Sequence, residues 1–127
     1  ELPELKLAAD FSHWCCVHES FLEDQAERVE RAITRSCHIH ARVGNPEGPQ
    51  VNDPRAPEWQ AAVETHLGWW QRIVDRRRAA GAAILTICPE FGPPEYMPTI
   101  PYTRQPVADL WEINVYMKEL LQKRLRV

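Results

Sequence analysis

Apolar residues along the chain fall into three short runs separated by three longer segments with helical spacing. The runs cover residues 5–9, 37–43 and 83–88, short enough for buried strands. Between the first two, residues 21–35 place Leu22, Ala26, Val29 and Ile33 on one helical face. A longer helix is predicted from near Pro57, with Trp59, Val63, Leu67, Trp70 and Val74 as its apolar stripe and Gly81 as its stop. A last helix is predicted from Pro106, with Leu110, Trp111, Met117 and Leu121 facing inward. It runs out into Lys123, Arg124 and Arg126, which suit a helix C-terminus. Strand and helix alternating three times reads as α/β with a parallel sheet.

The connections are uneven. Helix-to-strand links are tight, whereas the strand-to-helix links at 10–20, 44–56 and 91–105 are long, and the last two hold most of the 11 prolines. Long loops on one face only are what a (β/α) barrel displays at its catalytic end, although an open doubly wound sheet has the same asymmetry. Three βα units do not close an eight-stranded barrel. The expectation is therefore a partial (β/α)8 TIM barrel, its three units corresponding to strands six to eight. The strand-like run so soon after Glu1 suits a piece of a longer chain.

Composition narrows the function classes. With 44% hydrophobic and 26% charged residues the chain has an ordinary globular balance, and a net charge of -3 gives no basic footprint for nucleic acid. No apolar run is long enough to span a bilayer. Cys15, Cys16, Cys37 and Cys88 form neither a disulfide framework nor a CxxC pair, which fits reduced thiols in the cytoplasm. No glycine-rich phosphate loop is present.

The candidate chemistry sits at the strand ends. Alternation in the second strand puts His38, His40 and Arg42 on one side, a poor hydrophobic layer but a sensible lining for a polar mouth. Hydrogen-bonded core histidines are the plainer alternative. In the third strand Thr86, Cys88 and Glu90 share a face, and Glu90 stands just before the Phe91-Gly92-Pro93-Pro94 turn. A carboxylate there needs a cation or donors, with a salt bridge to Arg42 as the simpler option. Asp10 ends the first strand, and His13 follows it by three residues. Asp10, His40 and Glu90 together form a set suited to Mn²⁺, Mg²⁺, Co²⁺, Fe²⁺ or Zn²⁺. The 44–56 loop is a candidate lid. Trp14, Phe91 and Tyr96 offer either a wall for a sugar ring or loop packing. Trp69 and Trp70 read as packing residues, and Arg76, Arg77 and Arg78 as a solvated helix end.

Asp10-Phe11-Ser12-His13-Trp14, His38-Ile39-His40-Ala41-Arg42-Val43-Gly44 and Pro89-Glu90-Phe91-Gly92-Pro93 resemble, in this order, the sugar phosphate isomerase/epimerase family of xylose-isomerase-like TIM barrels. The resemblance implies that residues 1–127 correspond to the C-terminal part of such a barrel. It makes Asp10, His40 and Glu90 metal ligands, with Glu90 also the catalytic acid/base. It makes His13, His38 and Arg42 substrate contacts, the match of Arg42 being the least secure. A further glutamate, the partner ligand and base, lies in that family on an earlier strand that this chain does not contain, so the fragment alone is expected to be weak or inactive. The implied activity is a divalent-metal-dependent isomerisation or epimerisation of a ketose or sugar phosphate. It would run through an enediolate, on a small-molecule sugar, with no nucleic-acid or membrane partner and with homo-oligomerisation open. A lyase or dehydratase acting on a keto-polyol, or a non-catalytic truncated domain, are the competing readings.

Overall fold

The computed structural model describes residue 2 and residues 4–126. Its elements run β1 (Leu7–Ala9), α1 (Phe11–His18), α2 (Ala26–Arg35), β2 (Ser36–His40), a 3₁₀ turn (Pro57–Trp59), α3 (Gln60–Ala79), β3 (Thr86–Cys88) and α4 (Leu110–Arg124). The strands form one parallel sheet in the order β1-β2-β3. His38 pairs with Ala8 on one side and Thr86 on the other, and His40 pairs with Cys88.

The partial TIM barrel is not what the chain forms, and that expectation is corrected here. The sheet is a small open one of three strands, of three, five and three residues, accompanied by four helices. The first unit also departs from a βα repeat, because two helices rather than one loop and one helix follow β1. The broader α/β class is compatible with this architecture.

The reason for the extra helix is local. Asp10 caps α1, its side chain accepting from the Ser12 N–H, so the polar residue that ends β1 also starts a helix. The segment expected as a loop at 10–20 is therefore mostly helical. Other boundaries moved less. Leu22 lies outside α2 in a left-handed conformation yet stays in the core. Gly81, at φ 69°, ends α3 as the spacing predicted, with Ala82 N–H returning to the Arg77 carbonyl. Pro106 does not open α4; Asp109 caps it, accepting from the Glu112 N–H.

Helices pack on one face of the sheet only. Ala9, Ile39 and Ala41 point into a core with Val29 and Ile33 of α2, Val63, Trp70 and Ile73 of α3, and Ile113 and Met117 of α4, all buried. Burying a side chain the size of Ile39 contributes roughly 2–3 kcal/mol. Trp111, expected to face inward, is 77% exposed. The opposite sheet face carries Ala8, His38, His40, Thr86 and Cys88, all exposed or half-buried. Parallel sheets usually bury both faces, so a bare and partly polar face is a departure from the common pattern. Among the described residues no helix is long and apolar enough to cross a membrane.

Candidate metal centre

Parallel strands deliver their carboxyl ends to the same edge of a sheet, and there the three candidate ligands meet. Asp10 follows β1 directly, His40 is the last residue of β2, and Glu90 lies two residues beyond β3. One donor atom from each lies within 4.8 Å of the others. His40 Nδ1 is 2.5 Å from Glu90 Oε2 and 3.7 Å from Asp10 Oδ2.

Glu90 Oε2 is buried and lies against His40 Nδ1, so either a proton on that nitrogen or a cation shared by the two would balance its charge. Four ligands at about 2.1 Å around a tetrahedral ion stand about 3.4 Å apart; His40 and Asp10, at 3.7 Å, are near that spacing, whereas His40 and Glu90, at 2.5 Å, would have to separate to share an ion. Two oxygens and one nitrogen are a hard-to-borderline set, and three protein ligands leave positions open. The donor set therefore fits a divalent cation.

The charge around Asp10 is organised by Arg42, which is only 4% exposed. Its Nη2 donates to Asp10 Oδ2 at 2.8 Å, and its Nε donates to Ser12 Oγ at 3.2 Å. Ser12 Oγ in turn donates to Asp10 Oδ1 at 2.5 Å. Arg42 Nη2 also lies 2.6 Å from His13 Nε2. A guanidinium has no acceptor, so His13 Nε2 must receive this bond and the ring carries its proton on Nδ1. The guanidinium stacks over Tyr96 at 4.5 Å, a cation–π contact. Glu90 does not pair with Arg42; Asp10 does.

His13 is 45% exposed at the rim, with the Tyr96 ring 6.2 Å away. His38 stands beside His40, rings 5.0 Å apart, but its Nδ1 is engaged with Thr86 Oγ1 at 2.7 Å. The fold thus gathers Asp10, His13, His40, Arg42 and Glu90, and sets His38 to one side on the bare sheet face. Trp14 packs edge-on against Phe11, at 4.8 Å, rather than standing as a free wall.

Three contributors were not evident beforehand. Ser12 completes the Asp10–Arg42 network, and its place two residues after a capping Asp is the available signal. Gly44 passes so close to α1 that a Cβ would sit 2.8 Å from Ser12 Cβ. His66 of α3 is fully buried, Nδ1–H donating to the Ala62 carbonyl and Nε2 accepting from the Gly44 N–H. Burial lowers the His66 pKa to about 4, leaving a neutral ring that ties α3 to the β2 exit. Cys15 lies on the buried face of α1, and burial followed by the Glu23 charge pushes its thiol up to about 12, so it packs rather than ligates.

Comparison with family models, curated proteins and solved structures finds no significant match to this chain.

Proposed function

We propose that the chain binds one divalent cation through Asp10, His40 and Glu90 and serves a sugar isomerase or epimerase, moving a proton next to a carbonyl through an enediolate. The observation that carries this reading is the convergence of the three donors within 4.8 Å at one sheet edge. When bound, the cation supplies Lewis-acid polarisation of a carbonyl and its neighbouring hydroxyl, and stabilises the charge that develops there.

The chain's own residues do the rest. Glu90 turns Oε2 toward His40, leaving Oε1 to take the proton from the carbon beside the carbonyl; handing it to the former carbonyl carbon gives isomerisation, whereas epimerisation would need a second base on the opposite face. His13, fixed by Arg42, presents its Nδ1–H to a substrate oxygen. Arg42 is buried and fully engaged, so it acts from beneath the site, orienting Asp10 and His13. His38 lines the approach along the bare sheet face. The four free cysteines support a reducing, cytoplasmic setting for this chemistry.

A second reading has an observation of its own. Both Asp10 oxygens already accept hydrogen bonds, from Ser12 and Arg42, as in a purely structural charge cluster of a non-catalytic domain. Equilibrium binding of Mn²⁺ and Co²⁺ separates the two. The metal reading expects one equivalent per chain, lost in His40→Ala and Glu90→Gln. A chain that binds neither ion is the structural cluster. Solvent deuterium entering a ketose next to its carbonyl, without loss of water from the substrate, distinguishes isomerisation from a dehydratase; unchanged incorporation in Glu90→Gln removes Glu90 as the base.

A further inference from the structure

We propose that Gln50 and Asn114 are positioning residues that hold Glu90 in its ligating posture by gripping the backbone of the two residues that follow it; the proposal rests on the functional reading above. Glu90 has φ 53°, a left-handed conformation that a residue bearing a Cβ adopts only when its surroundings enforce it. The enforcement lies immediately downstream. Gly92 N–H donates to Gln50 Oε1 at 2.7 Å, and Gln50 Nε2 donates back to the Gly92 carbonyl at 3.1 Å. Phe91 N–H donates to Asn114 Oδ1 at 3.0 Å, and Asn114 Nδ2 donates to the Phe91 carbonyl at 3.0 Å.

A carboxamide offers a donor and an acceptor side by side, so each of these side chains matches both backbone groups of one residue. The two grips come from different elements, Gln50 from the loop after β2 and Asn114 from α4. Asn114 is itself anchored to the Leu110 carbonyl at 3.0 Å. Gln50 and Phe91 are buried, so water does not readily replace a lost amide. Gly92 adds a further constraint, because a Cβ there would lie 2.9 Å from the Tyr96 ring that stacks on Arg42. The backbone after Glu90 is thereby tied to the same network that orients Asp10.

Two readouts on the whole chain test this. One is the backbone of Glu90 in the metal-free protein, through the NMR Cα shift and Hα coupling that report a left-handed φ. The other is Co²⁺ affinity. Gln50→Ala and Asn114→Ala are expected to move Glu90 out of the left-handed region and weaken Co²⁺ about ten- to a hundred-fold, the usual range for outer partners of a ligand. Gln50→Glu keeps the acceptor for Gly92 N–H and should recover part of both. Gln71→Ala is the control: Gln71 makes the same two-way pairing with the Arg126 backbone, far from the site, and its loss should leave Glu90 and Co²⁺ affinity unchanged. Unaltered Glu90 geometry and affinity in both clamp variants would overturn the proposal. If the wild-type chain binds no Co²⁺, the functional reading fails alone, and the Glu90 backbone still decides whether the clamp exists.

Discussion

Arg42 places a permanent positive charge 2.8 Å from Asp10 Oδ2, the same oxygen that stands 3.7 Å from His40 Nδ1. Its removal leaves Asp10, 14% exposed, without its main counter-charge. Breaking such a pair costs on the order of 3 kcal/mol or more. Arg42→Met should therefore lower the thermal midpoint in chelator and recover a large part of the loss when Mn²⁺ is added, since the ion would then be the remaining counter-charge. Equal destabilisation with and without Mn²⁺ would mean that no cation reaches Asp10. Gly44→Ala tests the other side of the network: the new Cβ collides with Ser12, and a loss of roughly 1–3 kcal/mol is expected from urea unfolding. At this scale the sequence was informative about Asp10, His40 and Glu90, because strand ends can be read from apolar runs. It was silent on Gln50 and Asn114, whose roles depend on a backbone turn that no spacing rule reveals.

The element that changes most between sequence and structure is α1. Residues 11–18 hold no strong helix former, which favours a loop in the sequence, and the capping Asp10 is the one local helix-start signal there. Asp10 thus has two jobs, capping α1 and facing His40, and substitution can separate them. Asn is as good a cap as Asp but carries no charge. Asp10→Asn should retain α1 and lose cation binding, whereas Asp10→Ala should lose both and be less stable than Asp10→Asn by about 1 kcal/mol. Denaturant midpoints of the two variants in chelator measure the difference directly; equal midpoints would show that the cap contributes nothing. The helices with strong apolar stripes, α2 and α3, were legible for the opposite reason, since their spacing leaves one face to bury. In α4 Met117 and Leu121 are buried as their spacing predicts, while Trp111 faces solvent and Ile113, one turn before Met117, takes the inner position.

At the scale of the whole molecule, the barrel expectation failed because loop asymmetry reports only which sheet edge carries the long connections. It does not report how many strands the sheet has or whether it closes. What binds this small sheet to its helices includes one polar link through the core, His66 between α3 and the Gly44 backbone. That link makes global stability depend on pH. The unfolded ring titrates near its ordinary 6.5, while burial holds the folded ring neutral down to about 4. Between those values the unfolded chain takes up a proton that the native state refuses, so His66 lowers stability as pH falls. The contribution is complete above pH 6.5 and is lost on the way down to 4, amounting to about 3 kcal/mol. Asp10 is the carboxylate whose charge reaches the ring, and it acts only weakly against the desolvation. Glu30, Asp53 and Glu64, held low by Arg76 and Arg72, by Arg55 and by Arg124, add acid sensitivity of their own at lower pH. The His66 part is isolated by subtraction: urea unfolding at pH 7 and pH 4.5 for the native chain and for His66→Gln, which can keep a hydrogen bond but has no proton to gain. The native chain should lose about 2–3 kcal/mol more than the variant over that interval. Equal losses would show that the buried ring is not what couples this fold to acid.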